Sequence, residues 1–133
     1  MQVSISRALH AELLALAAAE PTREVCGLLF GTAERIEDIE PCINVSMQSE
    51  TSFEIDPSAL IAAHKRERAG GVKIIGCYHS HPNGVGEMSP LDLAAAENGQ
   101  IWGIMALGEI HWWSCSHMHS QRIAQRLEQH ISG

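Results

Sequence analysis

At 133 residues and 45% apolar content, the chain is long enough to fold as a single domain over residues 1–133. Such a domain buries roughly two thirds of its unfolded surface and needs no disulfide or structural metal to fold. A net charge of −7, with 9 Lys and Arg against 16 Asp and Glu, argues against nucleic-acid binding, which requires a concentrated basic surface. A run of about 18 apolar residues and a secretory leader pattern are both missing, and Cys26, Cys42, Cys77 and Cys115 show no paired spacing, so the expectation is a cytoplasmic protein with free thiols and no membrane contact.

In chain order, Ser6 can cap a helix that runs to about Ala19, with Leu9, Leu13, Leu16 and Ala17 at helical spacing and Pro21 beyond its end. The apolar run Val25 to Phe30 reads as a buried strand. Arg35 to Glu40 alternates weakly and can pair with it as a hairpin, and Phe53 to Ile55 is a further short strand. Asp56-Pro57 opens a second helix, stopped near Ala69 by Gly70-Gly71. Val72 to Tyr78 is a strand, and Ser89 to about Glu97 is a short helix. Ile101 to Leu107 and Ile110 to Cys115 form a hairpin that turns at Gly108-Glu109. A last helix is expected from about Met118 to Ile131. The sum is an α/β fold, a mixed β-sheet flanked by helices, without repeats or linkers.

Charge is uneven. Seven carboxylates face one Arg between Glu34 and Asp56, whereas Lys65, Arg66 and Arg68 cluster on the second helix, both patterns being those of solvated faces.

The motif that carries chemistry is His79-Ser80-His81 followed by Ser89 and Asp92. Histidines at i and i+2 leave one face of a strand together, and a carboxylate from the next element can complete a three-ligand set that keeps a position open for water. The histidine pair alone carries little information, because His117-Met118-His119 repeats it. The added Ser and Asp at fixed offsets sharpen it. Ser89-Pro90-Leu91-Asp92 is also a capping box with Pro at the first helical position, and both readings hold together: a helix starting there would present Asp92 rigidly. Ser80 points to the opposite face, in a role that supports the site from behind or packs, and not in the chemistry.

The run Gly76-Cys77-Tyr78-His79-Ser80-His81-Pro82, the Ser-x-x-Asp at Ser89–Asp92, and Glu24 ahead of Val25-Cys26-Gly27-Leu28-Leu29-Phe30-Gly31 resemble the JAMM, or MPN-plus, zinc metalloproteases. Asn44 and Phe53-Glu54-Ile55-Asp56-Pro57 add to the likeness, which spans most of the chain. The resemblance implies a cytidine-deaminase-like α/β sandwich and one Zn2+ per chain held by His79, His81 and Asp92. It also implies Glu24 as general base and acid, and the Ser89 hydroxyl as donor to the developing oxyanion. Read only as a residue, Glu24 is one of 13 glutamates and an ordinary surface carboxylate.

Family members cleave peptide or isopeptide bonds after the C-terminal tail of ubiquitin-like proteins. Only eight residues separate Asp92 from Ile101, so the insertion that grips ubiquitin has little room, and the compact bacterial branch acting on sulfur-carrier proteins ending in Gly-Gly is the closer likeness. Two alternatives stand beside it: a peptidase of phage-tail or cell-wall type acting on small peptides, and a non-catalytic MPN interaction module. His111, His117 and His119, near Trp112 and Trp113, are weighed as another metal site and set aside for want of a carboxylate or thiol at ligand spacing. Of the two tryptophans, on opposite faces of one strand, one is expected in the core.

Overall fold

A computed structural model describes residues 1–128 of the chain. Strands β1 (Gln2–Ser6), β2 (Cys26–Thr32), β3 (Arg35–Cys42), β4 (Ile74–Ser80), β5 (Ile101–Ala106), β6 (Glu109–Ser116) and β7 (His119–Glu128) form one mixed sheet in the order β1-β3-β2-β4-β5-β6-β7. Helices α1 (Arg7–Ala19), α2 (Pro57–Arg68) and α3 (Pro90–Ala95) flank it. The sheet closes on itself, because β1 pairs in parallel with β7 from Gln2↔Ala124 to Ser6↔Glu128 and meets β3 at Ser4↔Arg35. Closure leaves few open strand edges to template association.

β2 and β4 are buried on both faces, which is why Cys26–Phe30 and Ile75–Ser80 carry almost no solvent exposure. Alternation then sorts their side chains into two cores. Leu29, Tyr78, Ile101 and Met105 face α1, whose Leu13 is fully buried between Leu9, Leu16 and Ala17. Cys26, Leu28, Phe30, Cys77 and Trp102 face the other way, against Ala59, Leu60 and Ala63 of α2. His79 follows Cys77 onto this second face, and Ser80 follows Tyr78 onto the first. All four cysteines are free thiols.

The helix starts follow their caps. Ser6 accepts from Leu9 N at 3.1 Å, and Asp56 accepts from Ser58 N at 3.1 Å ahead of Pro57. At the other end of α2, Lys65, Arg66 and Arg68 complement the helix dipole, and Gly70 turns the chain at φ +95°. The Phe53 to Ile55 strand reduces to one bridge, Asn44↔Ile55.

Two expectations are corrected. The segment expected as a final helix is strand β7 as far as Glu128, the rest of that stretch lying outside the described residues. Ala, Gln, Arg and Leu favour a helix by themselves, but β6 on one side and β1 on the other both satisfy this backbone, and Ile123 reaches the core opposite Trp112. β1 was not anticipated, although Val3 and Ile5, both fully buried, alternate with exposed or half-buried neighbours at strand spacing. One of the two tryptophans is core as expected: it is Trp112, and Trp113 is half-buried.

Among the described residues no helix is long and apolar enough to cross a membrane.

Candidate metal centre

His79 is the penultimate residue of β4, and His81 extends the strand by one position, its N–H bonding to the Met105 carbonyl at 3.0 Å. Strand alternation therefore turns both imidazoles to one side. Asp92 arrives from α3, where the Ser89 hydroxyl accepts from Asp92 N at 3.0 Å and Ser89 N donates back to Asp92 Oδ2 at 2.9 Å, a reciprocal capping box. Three heteroatoms converge: Nε2 of His79 and Nε2 of His81 each lie 3.1 Å from Asp92 Oδ2 and 3.0 Å from each other. His79 is fully buried, and Asp92 and His81 retain only 5% and 7% of their surface.

Glu24 completes the cluster from the segment just before β2. A carboxylate oxygen of Glu24 lies within 4.8 Å of a ring nitrogen of each histidine, and Oε1 is buried without a hydrogen-bond partner. The histidine pair thus belongs to two triads, one with Glu24 and one with Asp92. Asp92 is the nearer carboxylate and the one locked by a helix cap.

The backbone around Glu24 is held by residues far along the chain. Asn44 Nδ2 donates to the Glu24 carbonyl at 2.9 Å and to the Ser52 carbonyl at 3.1 Å, while Asn44 Oδ1 accepts from Ser46 N and Glu54 N at 3.0 Å each. From the other face of β4, the Ser80 hydroxyl accepts from Val25 N at 2.9 Å. Ser80 thus ties the strand that bears the histidines to the one that follows Glu24. Sequence reasoning placed Ser80 on the opposite face but had no signal for this partner.

Electrostatics separate the roles. Burial pushes Glu24 up to about 7, opposed by His81, which lowers it, and reinforced by the charge of Asp92. Burial would also raise Asp92, but hydrogen bonds to His79 and His81 outweigh it and hold its carboxyl well below the usual range. Desolvation lowers His79. His81 is raised, because its bond to Asp92, the Val85 carbonyl and nearby carboxylate charges outweigh desolvation.

The donor set fits a divalent metal. Nδ1 of His81 lies 2.7 Å from the Val85 carbonyl, which can only accept, so Nδ1 carries a hydrogen; once the proton that Nε2 donates to Asp92 leaves, the Nε2 lone pair faces the cluster. Two imidazole nitrogens and a carboxylate oxygen aimed at one buried point are the ligand types zinc takes, and two neighbouring carboxylates supply the charge to balance it. Two aromatic residues, unweighed as site residues in the sequence, wall the cluster: Phe53 stacks on His79 at 4.3 Å between centroids, and Trp102 meets it edge-on at 5.4 Å. Outside, a cleft lined by Glu24, Thr51, His81, Val85, Met88 and Ser89 opens to solvent.

His117 and His119 are exposed and join no such cluster. His111 lies beside Gly86 and Arg122, so the structure brings together no second metal group among the described residues.

Residues 6–126 match the family model described as prokaryotic homologs of the JAB domain. A desampylase of Haloferax volcanii is 31% identical over 88 residues, covering 65% of this chain and 60% of that protein. A probable TtuB-protein conjugate cleaving protease of Thermus thermophilus is 35% identical over 92 residues, 69% of this chain and 62% of its own length. The tail tip assembly protein K of phage N15 is 35% identical over 98 residues, 73% of this chain but 38% of that protein. The match thus spans about three fifths of the first two relatives. A solution structure of a Desulfitobacterium hafniense protein superposes with a TM-score of 0.82 at 24% identity, covering 98% of this chain and 95% of that one.

Proposed function

The chain belongs to the prokaryotic homologs of the JAB domain, and from that premise we propose that it is a zinc-dependent isopeptidase that cuts at the C-terminal tail of a ubiquitin-like, sulfur-carrier type protein. One observation carries the reading: Nε2 of His79, Nε2 of His81 and Asp92 Oδ2 converge within 3.1 Å beside the unpartnered carboxylate of Glu24. His79, His81 and Asp92 would hold the ion. Zinc bound there would polarise the scissile carbonyl and bring the pKa of water toward about 7.

The remaining chemistry belongs to side chains. Glu24, pushed up to about 7 by burial, is tuned to take a proton from the attacking water near neutral pH. As the new C–O bond forms and the C–N bond breaks, the same carboxyl returns that proton to the leaving amine. A positioned group in this role is worth about 10²–10⁴ in rate. Ser89 already spends its oxygen as acceptor for Asp92 N, which leaves the hydroxyl hydrogen to donate toward the carbonyl oxygen as negative charge grows there. The names of the Haloferax and Thermus relatives support a ubiquitin-like conjugate as substrate. A tail ending in Gly-Gly suits this site because residues without side chains can bring the bond close to a buried cluster.

The phage tail relative favours a second reading, cleavage of short peptides by the same residues. Elemental analysis of tag-free wild type beside Asp92→Ala tests the centre: about one zinc per wild-type chain, lost in the variant, is expected, and equal content in both overturns the ligand set. Cleavage of a lysine conjugate of a Gly-Gly-ending ubiquitin-like protein, run beside a short peptide library, then separates the two substrates.

A further inference from the structure

Pro82 to Met88 join His81 to the start of α3, and much of this loop is in solvent, Val85 being 47% exposed. Within the loop, Gly84 N donates to the His81 carbonyl at 3.0 Å and Val85 N to Asn83 Oδ1 at 2.9 Å, a local turn that brings the Val85 carbonyl 2.7 Å from Nδ1 of His81. The far side of the loop, after Val85, is held by β6. Nε1 of Trp113 donates to the Gly86 carbonyl at 3.0 Å. The His111 ring lies so close to Gly86 that a Cβ there would come within 2.5 Å of it. Arg122 of β7 ties the two together, Nη1 donating to His111 Nδ1 at 3.1 Å while its guanidinium sits 4.8 Å over the Trp113 ring.

We propose that Trp113, with His111, is a positioning residue for His81, acting through Gly86 and the adjacent Val85 carbonyl. The carbonyl selects the Nδ1–H tautomer and fixes the ring plane, so the Nε2 lone pair stays aimed at the centre. Released from β6, the loop drifts, the carbonyl leaves Nδ1, and the tautomer with hydrogen on Nε2, which cannot ligate through that atom, gains population. His111 thereby has a part in the centre without being a ligand. The inference rests on His81 as a metal ligand and adds a device on which that reading is silent.

Trp113→Phe keeps an aromatic ring under Arg122 while removing the donor and part of the ring area, and Gly86→Ala, which leaves Trp113 intact, pushes the exposed loop away from His111. The control is Trp112→Phe, because that indole donates to Gln125 Oε1 at 2.8 Å from the opposite face of β6. Zinc affinity is read by chelator competition, and the His81 tautomer by ring nitrogen chemical shifts in metal-free protein at a pH high enough for the ring to be neutral. The first two variants should weaken zinc about tenfold or more and mix the His81 tautomers, with Trp112→Phe unchanged in both. Affinity within about twofold of wild type, or an unmixed Nδ1–H tautomer, in both loop variants overturns the proposal, as do equal losses in Trp112→Phe. If Trp113→Phe fails to fold, Gly86→Ala decides alone. A wild type that binds no zinc refutes the ligand reading instead, and the tautomer measurement still judges the clamp.

Discussion

The chain contains two His-x-His pairs, and they have opposite fates. His79 and His81 sit on and just beyond β4, nearly free of solvent, with Asp92 3.1 Å from both rings. His117 and His119 flank Met118, whose φ of +59° marks a turn between β6 and β7, and both are exposed. Spacing of i and i+2 puts side chains on one face only where the backbone is extended; across a left-handed residue the rule has no force. The comparison teaches that a candidate ligand pair is made by its strand and by the carboxylate delivered to it. Spacing is necessary to the first pair and idle in the second.

That contrast can be broken most sharply at its strongest point. His81→Ala should lose zinc by more than the roughly hundredfold that removing an outer partner costs, whereas His119→Ala should keep full occupancy, both read by elemental analysis and chelator competition. Retention of zinc by His81→Ala would erase the distinction. Next in size, Glu24→Gln should bind zinc as wild type does yet lose about 10²–10⁴ in turnover, which places Glu24 outside the ligand set. Loss of zinc there would instead favour the triad that includes Glu24.

The pH dependence of metal binding sharpens the picture further. His81 has a raised folded-state pKa relative to the ordinary 6.5, and zinc binds only after its proton leaves. Affinity should therefore be flat at pH above that raised value and fall about tenfold per pH unit below it, the decline starting at higher pH than for an ordinary imidazole. Calorimetric titration across pH 5–8 reads this directly, and a decline beginning only below 6.5 would contradict it. Ser89→Ala should lower unfolding free energy by about 1 kcal/mol through the lost cap on Asp92 N, besides slowing turnover, as chemical denaturation and kinetics would show. At the small end, His117→Ala should leave stability within about 0.5 kcal/mol of wild type.

Local signals account for most of the elements. Ser6, Asp56 and Ser89 act as the caps their identity and following residues announce, and the uninterrupted apolar run after Val25 becomes a strand buried on both faces. The last strand resisted such reading. Its residues favour a helix when considered alone, and what makes them a strand is the pairing of Trp112↔Ile123 and Val3↔Gln125, contacts with segments before it and at the far end of the chain. β1 is the converse case, a short alternation whose value shows only once β7 lies beside it.

The amino-acid order by itself determined the shared face of His79 and His81, the helix cap that would present Asp92, and the apolar runs that become the sheet centre, because each depends on backbone geometry over a few residues. Only the tertiary structure decided that Glu24, 55 residues before His79, would be buried against that pair, and that Asn44 and Ser80 would hold its segment there. It also decided that β6 would grip the loop behind His81. Burial and long-range pairing are properties of the closed sheet, and no window of neighbouring residues contains them.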